Sequence, residues 1–533
     1  MHWSDEIANK LISLHPDKEE FVLAAGTSPS GTVHIGNFRD AVTVYFVAKA
    51  LRKQGKKTVL LLSWDDYDRF RKVPKNLPED RIKEYESYIG MPYSAVPDPF
   101  GCHASYAEHY EKEYEESLEK IGLKFDIIRY QTKEYMSGRY KDGIITALKN
   151  RKEIYDIMQE FKTQEYSEEE RENFYPVSVY CDKCGKDTTK ITELSEDCNV
   201  VGYSCKCGNV STVNISEQGN CKLPWKVDWP MRWMYEGVDF EPGGKDHASP
   251  QGSYQVSRVI AKKIYNIDEP LFQGYEFIGI KGLTGKMSGS SGLNINLEEL
   301  LKIYPPEIIW WLYAKKTPNE AFDISLGDDV PRIYGEFDRI YENYYNNAES
   351  LDEITKSTLD IVLDGSPKKV NPPFNILLTL YSISNGKIDM IEEMFTKIGM
   401  SFKAEELKER LEKVAYWLEK YAPNMLMKLN TSPDFEYFEA LDDEVKGWVK
   451  DFCELIKIKM DSEELTTRLY AIPKKETADV KENKKNQLLF FKTMYRLLIG
   501  EDKGPMLSTL ILAVGAENIL PIVEPLVKGG ANN

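Results

Sequence analysis

The chain has 533 residues, a formal net charge of −17 and a sequence pI near 5.1. At roughly 100–200 residues per domain, that length predicts about three or four domains. Hydrophobic residues make up 42%, which excludes a disordered chain. The acidity argues against a general DNA coater, which carries a basic footprint, but it leaves room for one local basic face. No run of about 18 apolar residues occurs, so no membrane span is expected. The first twenty residues are mixed in charge and lack an apolar signal core, so a cytoplasmic location is expected.

Residues 21–25 (FVLAA) form a short apolar run, the pattern of a buried parallel strand. Residues 26–33 contain Gly26, Ser28, Pro29, Ser30 and Gly31 and cannot continue it. A helix is predicted from His34, with Phe38, Val42, Tyr45 and Phe46 on one face. Residues 58–62 (TVLLL) give a second strand that ends at Trp64, Asp65 and Asp66. This is a βαβ unit, the start of a doubly wound α/β sheet of Rossmann type. Ligands on such sheets bind at the carboxyl ends of strands, here residues 26–34 and 64–68.

From about residue 90 the pattern changes. A charged helix is expected near 106–120, followed by a Cys-rich stretch. Residues 91–225 read as an insertion that splits the α/β domain into 1–90 and 226–320. A strand-like run returns at 272–280 and leads into a Gly/Ser/Thr loop at 281–292. From about 296 the chain reads as helical nearly to its end. Pro305-Pro306 opens one helix and Pro372-Pro373 marks a joint. Residues 321–533 form this all-α region.

Two loops carry the chemistry. His34-Ile35-Gly36-Asn37 opens a helix, whose N-terminus offers backbone N–H groups to phosphates. His34 could donate to a phosphate oxygen as charge builds, or it could be an ordinary helix cap. Lys286-Met287-Ser288-Gly289-Ser290 lies 252 residues after His34, in the second glycine-rich loop. Lys286 brings a mobile cation to the β- and γ-phosphates, and the glycines let the loop close and open. Either motif alone is weak; both in this order, after a first and a late strand, point to one nucleotide site.

The eight cysteines cluster: seven lie between 102 and 221. In a chain without an export signal, such spacing favours metal over disulfides. Cys181-x2-Cys184 and Cys205-x-Cys207 supply four thiolates, with Gly185 and Gly208 just after the pairs. Tetrahedral zinc is the natural occupant. The second pair is one residue short, so Cys198 or Cys221 could replace one ligand. Asp98, Cys102, His103 and His109 form a second set of zinc-type ligands within twelve residues. Neither set lies in the first βαβ unit, so both read as structural. Cys453, in a helical apolar stretch, reads as core.

With both loops in view, the chain resembles a class I aminoacyl-tRNA synthetase. His34-Ile35-Gly36-Asn37 matches the HIGH-type signature, and Lys286-Met287-Ser288-Gly289-Ser290 matches the KMSKS-type signature. The finer resemblance is to the class I (archaeal-type) lysyl-tRNA synthetases. It rests on residues 27–31 (TSPSG), 63–71 (SWDDYDRFR), 98–103 (DPFGCH) and 244–247 (GKDH), and more weakly on 500–505 (GEDKGP). The second lysine of the KMSKS-type loop is Gly289 here.

The resemblance implies a lysine–tRNA ligase. Its substrates would be L-lysine, ATP with Mg²⁺ and tRNA(Lys), with neither DNA nor membrane as partner. It also strengthens the Asp98–His109 zinc site. It implies that His34, Asn37 and Lys286 stabilise charge on the phosphates. Ser28, Pro29, Gly31, Gly36, Asp246, Met287 and Ser288 would complete the ATP site. Gly26, Ser28, Asp65, Asp66, Trp225, His247 and Tyr275 would surround the lysine. An aliphatic stem wants apolar or aromatic walls and an ammonium wants carboxylates or π faces. Asp65 and Asp66 could equally form a solvated turn or orient the ribose, and Trp225 could be core.

Residues 465–500 hold eight basic residues and three acids, a local +5 in a chain of −17. Lys481, Lys484, Lys485, Lys492 and Arg496, with Phe490, Phe491 and Tyr495 among them, are the candidate tRNA surface within a helical stem-contact and anticodon-binding region. A solvated helix with core aromatics is the alternative. Two other readings of the chain are a glutamate- or glutamine-type synthetase and a non-catalytic tRNA- or adenylate-binding paralogue. Carboxylates at 65, 66 and 68 oppose an acidic substrate, and an intact first motif opposes decay. A small nucleotidyltransferase would not need roughly 230 further helical residues.

Overall fold

The computed structural model describes residues 1–74, 77, 79–162, 166–281 and 295–529. The chain divides into two compact units. The first comprises Met1–Leu301, Pro306–Ile324 and Glu349–Gly365; the second comprises Lys302–Pro305, Ser325–Ala348 and Ser366–Asn533.

The first unit is built on a five-stranded parallel sheet. Its strands are β1 (Glu20–Thr27), β2 (Lys57–Trp64), β3 (Ile127–Tyr130), β4 (Phe240–Gly244) and β5 (Leu271–Tyr275). Their order is β5-β4-β1-β2-β3. The chain winds outward from β1 to β3, then crosses back to the other side of β1. The gap between β1 and β4 is therefore the topological switch point, where open α/β sheets bind ligands. β1 and β2 pair in register from Glu20↔Lys57 to Thr27↔Trp64, so their carboxyl ends finish side by side.

The helix after β1, α1 (Ile35–Lys53), is buried nearly all round. Its second face is covered by α5 (Pro306–Ala314): Tyr45 stacks on Trp310 at 4.7 Å and Phe38 meets Tyr313 at 5.2 Å. Between them in sequence lie α2 (Tyr106–Lys120), α3 (Trp225–Glu236) and α4 (Ser253–Lys263). The helix predicted at 106–120 and the helix start at Pro306 agree with the sequence pattern. Residues 189–194, 200–205 and 210–214 form a small antiparallel sheet with Val201, Tyr203 and Val213 buried.

Two boundaries differ from expectation. The segment 91–225 is not wholly outside the sheet, because β3 pairs with β2 from Leu61↔Ile127 to Trp64↔Tyr130. Four residues are too few for a periodic signal. The fixing interaction is long-range: Asp126 accepts the Leu60 N–H at 2.8 Å. Residues 349–365, expected with the helical region beyond 321, belong to the first unit. Lys49 on α1 donates to the Ile361 carbonyl at 3.0 Å and lies 3.4 Å from Asp364.

The second unit's described elements are helical from α6 (Val330–Asn346) onward. After α7 (Glu353–Leu363), which belongs to the first unit, come α8 (Phe374–Ser384), α9 (Ala404–Lys420) and α10 (Val480–Ile499). Pro372-Pro373 stands just ahead of α8, as expected. Cys453 is core, packed with Phe452, Val449 and Leu497. Among the described residues, no single helix is long and apolar enough to cross a membrane.

Candidate functional site

A cavity of about 550 Å³ opens at the switch point. Its walls come from the end of β1 (Gly26, Thr27, Ser28), the start of α1 (His34, Gly36, Asn37) and the turn after β4 (Gly244, Asp246, His247). Tyr275, at the end of β5, closes it. Residues far apart in sequence meet because parallel strands all end on one edge of the sheet. Among the expected site residues, Pro29 and Gly31 are buried in the first loop and do not line the cavity. That loop is held by the Tyr106 hydroxyl on the Ser30 carbonyl at 2.9 Å. Lys286, Met287, Ser288 and Gly289 lie outside the described residues.

His34 is both a cap and a wall. Its Nδ1 accepts from the Gly36 N–H at 3.1 Å and the Asn37 N–H at 3.4 Å. These bonds fix Nδ1 as an acceptor, which places the proton of the neutral ring on Nε2. The helix-cap reading is seen directly, and in the neutral ring Nε2 carries the N–H. Two of the backbone N–H groups expected to face phosphate are taken by the imidazole. A Cβ on residue 36 would stand 2.9 Å from both Nδ1 and Cε1 of His34, so only glycine admits this ring position.

Behind Gly26, outside the cavity lining, are two buried acids that sequence reasoning missed. Asp40, on α1, accepts the Gly26 N–H at 3.0 Å and the Tyr275 hydroxyl. Its carboxyl is held far above the usual range, mainly by burial, with Glu241 nearby raising it further. Glu241, on β4, accepts the Trp233 indole N–H at 2.7 Å, and burial raises its carboxyl to about 7. A Cβ on Gly26 would lie 4.0 Å from the Glu241 carboxylate, so Gly26 separates the cavity from that acid. No local signal marked Asp40, whose neighbours at helical spacing are Gly36, Asn37, Thr43 and Val44. Arg232, which shares an inner pocket with Glu241, lowers that carboxyl but does not offset its burial; strongly perturbed buried acids of this kind mark a candidate site.

Asp65 and Asp66 do not line the cavity, which corrects the expectation that they face an ammonium. Asp65 pairs with Arg232 at 2.6 Å, and Arg232 also pairs with Asp228. Asp66 accepts the Thr132 N–H at 2.9 Å and Asp68 pairs with Lys222. These acids serve a buried ionic network behind the sheet edge. The cations that claim them lie more than 150 residues further on, where no local pattern reveals them. Arg232 lies 5.3 Å from the Trp225 ring, and Trp225 stacks on Trp229 at 4.8 Å. Trp225 lines a small inner pocket of about 20 Å³, shared with Gly26 and Glu241. His247 bonds Ser253 at 2.6 Å and packs edge-on against Trp229 at 5.6 Å. Burial lowers its pKa, so the ring is neutral at pH 7.

Both ligand sets converge. The thiols of Cys181, Cys184, Cys205 and Cys207 lie within 4.8 Å of one another, with Cys181–Cys207 at 3.8 Å and Cys184–Cys205 at 3.6 Å. A zinc tetrahedron with Zn–S near 2.3 Å has S···S edges of about 3.8 Å. Gly185 and Gly208 take positive φ (72° and 85°) and make the tight turns after each pair. Burial raises the Cys181 thiol, but N–H groups of Cys184 and Lys183 outweigh it and bring the value down to about 6. Cys198 and Cys221 stand outside the cluster. In the second set, Cys102 Sγ is 3.1 Å from His103 Nδ1 and 3.3 Å from His109 Nδ1. Asp98 lies 3.5 Å from His109 and is oriented by the Cys102 and His103 N–H groups at 2.8 Å.

On α10, Lys481, Lys484 and Lys485 are exposed, whereas Lys492 and Arg496 pair with Asp502 at 3.0 and 2.5 Å. The aromatic part of that expectation is corrected: Phe490 is fully buried core, and Tyr495 bonds the Pro505 carbonyl. Leu488, at 66% exposure, stands on the surface instead.

Comparison with known proteins identifies the family. A family model described as tRNA synthetases class I (K) matches residues 1–363. The lysine–tRNA ligase of Pyrococcus horikoshii is 36% identical, across 96% of this chain and 97% of its own length. That of Borreliella burgdorferi is 35% identical across 99% of both chains. That of Methanocaldococcus jannaschii is 32% identical across 98% of this chain and 99% of its own. The chain belongs to the family of class I lysyl-tRNA synthetases.

Proposed function

We propose that the chain attaches L-lysine to tRNA(Lys) in two steps within the switch-point cavity. A lysine carboxylate oxygen attacks the α-phosphorus of ATP, which enters as its Mg²⁺ complex. The bond to the bridging oxygen breaks, and pyrophosphate leaves with the electron pair. The 2′-hydroxyl of the terminal adenosine then attacks the carbonyl of the lysyl-adenylate, and AMP leaves. Little covalent chemistry is asked of the protein; it aligns the reactants and meets developing charge with preorganised donors. His34 supplies an Nε2–H and Asn37 a side-chain amide at the helix start, and Lys286 brings its cation on the second loop. Asp246 accepts from the ribose hydroxyls.

The observation that carries the specificity is the buried acid pair behind Gly26. Asp40 and Glu241, with the Tyr275 phenol, form a polar end suited to an ammonium, while Trp225 and His247 wall the aliphatic stem. Two buried acids oppose a glutamate substrate. This assigns the ammonium to Asp40 and Glu241 rather than to Asp65 and Asp66.

Both cysteine-bearing clusters have the donor set and spacing for zinc, held by Cys181, Cys184, Cys205 and Cys207 and by Asp98, Cys102, His103 and His109. Zinc there would cross-link the Cys181–Cys184 turn to the Cys205–Cys207 turn, and would tie together the segment 98–109. The helical region beyond 321 is read as the stem-contact and anticodon-binding part, with Lys481, Lys484 and Lys485 facing phosphates. The reading places the enzyme in the cytoplasm, with tRNA, lysine and ATP as partners.

The test is amino-acid-dependent ATP–pyrophosphate exchange across the twenty amino acids, with and without tRNA, followed by acylation of a tRNA(Lys) transcript. Lysine alone should support both. Exchange with glutamate, or none with any amino acid, would overturn the reading.

A further inference from the structure

We propose that α2 positions the nucleotide site, with Tyr106 and Glu113 as the positioning residues, and that the Asp98–His109 ligand set fixes α2 for that task. Tyr106 holds the first signature loop, and Glu113 holds the segment at 295–296 that pairs with His34. The proposal rests on the reading of the chain as an ATP-using ligase.

Tyr106 is the first residue of α2 and is fully buried. Its hydroxyl donates to the Ser30 carbonyl at 2.9 Å, inside the loop that joins β1 to α1. The ring is wedged in place: it stacks on Tyr93 at 5.8 Å and meets Phe70 and Tyr110 edge-on at 5.3 and 5.0 Å. Packing alone would be served by phenylalanine; the hydroxyl serves the loop. Glu113 lies two turns further along α2, on the same face. Its carboxylate accepts from the Asn296 side-chain amide at 2.9 Å. Asn296 is also fixed by its Oδ1, which accepts from the Glu299 N–H at 2.8 Å. The segment then meets α1: residues 34 and 296 form an antiparallel bridge, and the Ile35 N–H donates to the Ile295 carbonyl at 2.9 Å. One face of one helix thus holds both the loop ahead of His34 and the segment paired with His34.

The ligand set grips the start of the same helix. His109 stands in α2 between Tyr106 and Glu113, while Asp98, Cys102 and His103 come from the loop ahead, and the four ligand atoms lie within 4.8 Å of one another. Between the two groups, Ser105 caps the helix by accepting the Glu108 N–H at 3.1 Å. Ligands on both sides of the cap leave α2 one height and one rotation. A slip of one residue would move it about 1.5 Å and turn it about 100°, which lifts Tyr106 off Ser30. Such an error matters at a site that works by alignment, where a misplacement of about 1 Å can cost about 10²-fold in rate. Read from sequence, both ligand sets were structural; this one is linked to the nucleotide site through two side-chain hydrogen bonds on one helix face.

The test uses the full chain. Tyr106→Phe keeps the ring and removes one bond. In lysine-dependent ATP–pyrophosphate exchange its ATP KM should rise about fivefold, the equivalent of one ordinary hydrogen bond, with the lysine KM within about twofold and the zinc content unchanged. In substrate-free protein, amide hydrogen exchange should quicken at residues 27–33 and keep the parent rate at 57–64, in β2. Glu113→Ala should raise the ATP KM in the same way, and Glu113→Gln, which retains an acceptor for Asn296, should restore it. His109→Ala should also quicken amide exchange at 27–33 and not at 57–64, and adding Tyr106→Phe to it should give less than the sum of the two effects. An ATP KM within about twofold of the parent, with 27–33 unchanged, overturns the role of Tyr106. Equal rises in both KM values, or faster amide exchange in both segments, overturns positioning in favour of general destabilisation. If Glu113→Gln is as impaired as Glu113→Ala, the acceptor role of Glu113 is refuted. If the parent chain shows no lysine-dependent turnover, the ligase reading fails instead, and amide exchange at 27–33, which needs no turnover, still decides the link to α2.

Discussion

The imidazole of His34 and the α-carbon of Gly36 are mutually exclusive with any side chain at 36, because a Cβ there would stand 2.9 Å from the ring. The ring cannot be pushed aside without losing its bonds to the Gly36 and Asn37 N–H groups. Gly36→Ala should therefore behave as a displacement of His34. Loss of one preorganised donor typically costs about 10²–10³-fold in rate. Steady-state acylation should show kcat falling by about that factor, with the lysine KM little changed. A variant within twofold of the parent would show that the ring position is irrelevant to the chemistry.

Glu241, in the inner pocket shared with Gly26 and Trp225, makes lysine binding pH-dependent. Burial raises the Glu241 carboxyl to about 7 in the empty site. An ammonium binds the ionised form, so lysine affinity should rise as pH increases from 6 to 8 and then level off. Glu241→Gln should flatten that profile and weaken lysine binding about tenfold or more. Calorimetric titration with lysine across this range measures both. A parent profile that is flat, or rises toward low pH, would remove Glu241 from the ammonium site.

Glu111, on α2, is buried with an oxygen that lacks a partner, and its carboxyl is pushed up to about 8 by burial, then by Asp66 and Glu115. The folded chain thus keeps a proton that the unfolded chain releases near pH 4.3. Stability contributed here falls as pH rises from about 4.5 to 8 and is flat above. Glu111→Gln should remove the slope and gain on the order of 3–5 kcal/mol at pH 9. Urea unfolding of the first unit's signal at pH 5, 7 and 9 checks the sign; equal gains at all three would refute it.

The two ligand clusters predict about two zinc ions per chain by elemental analysis. Cys181→Ser and His109→Ala should each remove one, independently, and each should lower the melting temperature. A parent value near one would eliminate one cluster as a metal site.

On α10, Lys484→Glu with Lys485→Glu should weaken tRNA binding and reduce its salt slope by about two. Lys492→Glu should do less, because Lys492 already pairs with Asp502. Equal effects at both places would mean that the intramolecular pair does not hold in solution.

Local sequence carried the βαβ start, the first signature loop and the convergence of both ligand sets, because each depends on residues close in the chain and on a fixed spacing. The four thiols from 181 to 207 and the ligands from 98 to 109 converge as their spacing implies. The global charge of −17, by contrast, only located a basic stretch; it could not say which lysines there are engaged, and two of the five cations proved to be paired with Asp502.

Tertiary structure decided what depends on partners from distant strands. Asp65 looked like a substrate acid until Arg232, 167 residues away, claimed it. Asp40 drew no reading from the sequence; its place is set by the sheet, which puts Gly26 and Tyr275 around it. β3 was too short to show a period, and only its pairing with β2 reveals it. Whether a carboxylate is a site or a strut is set by the charges that face it. In a doubly wound sheet those charges come from other crossovers, beyond the reach of any local pattern.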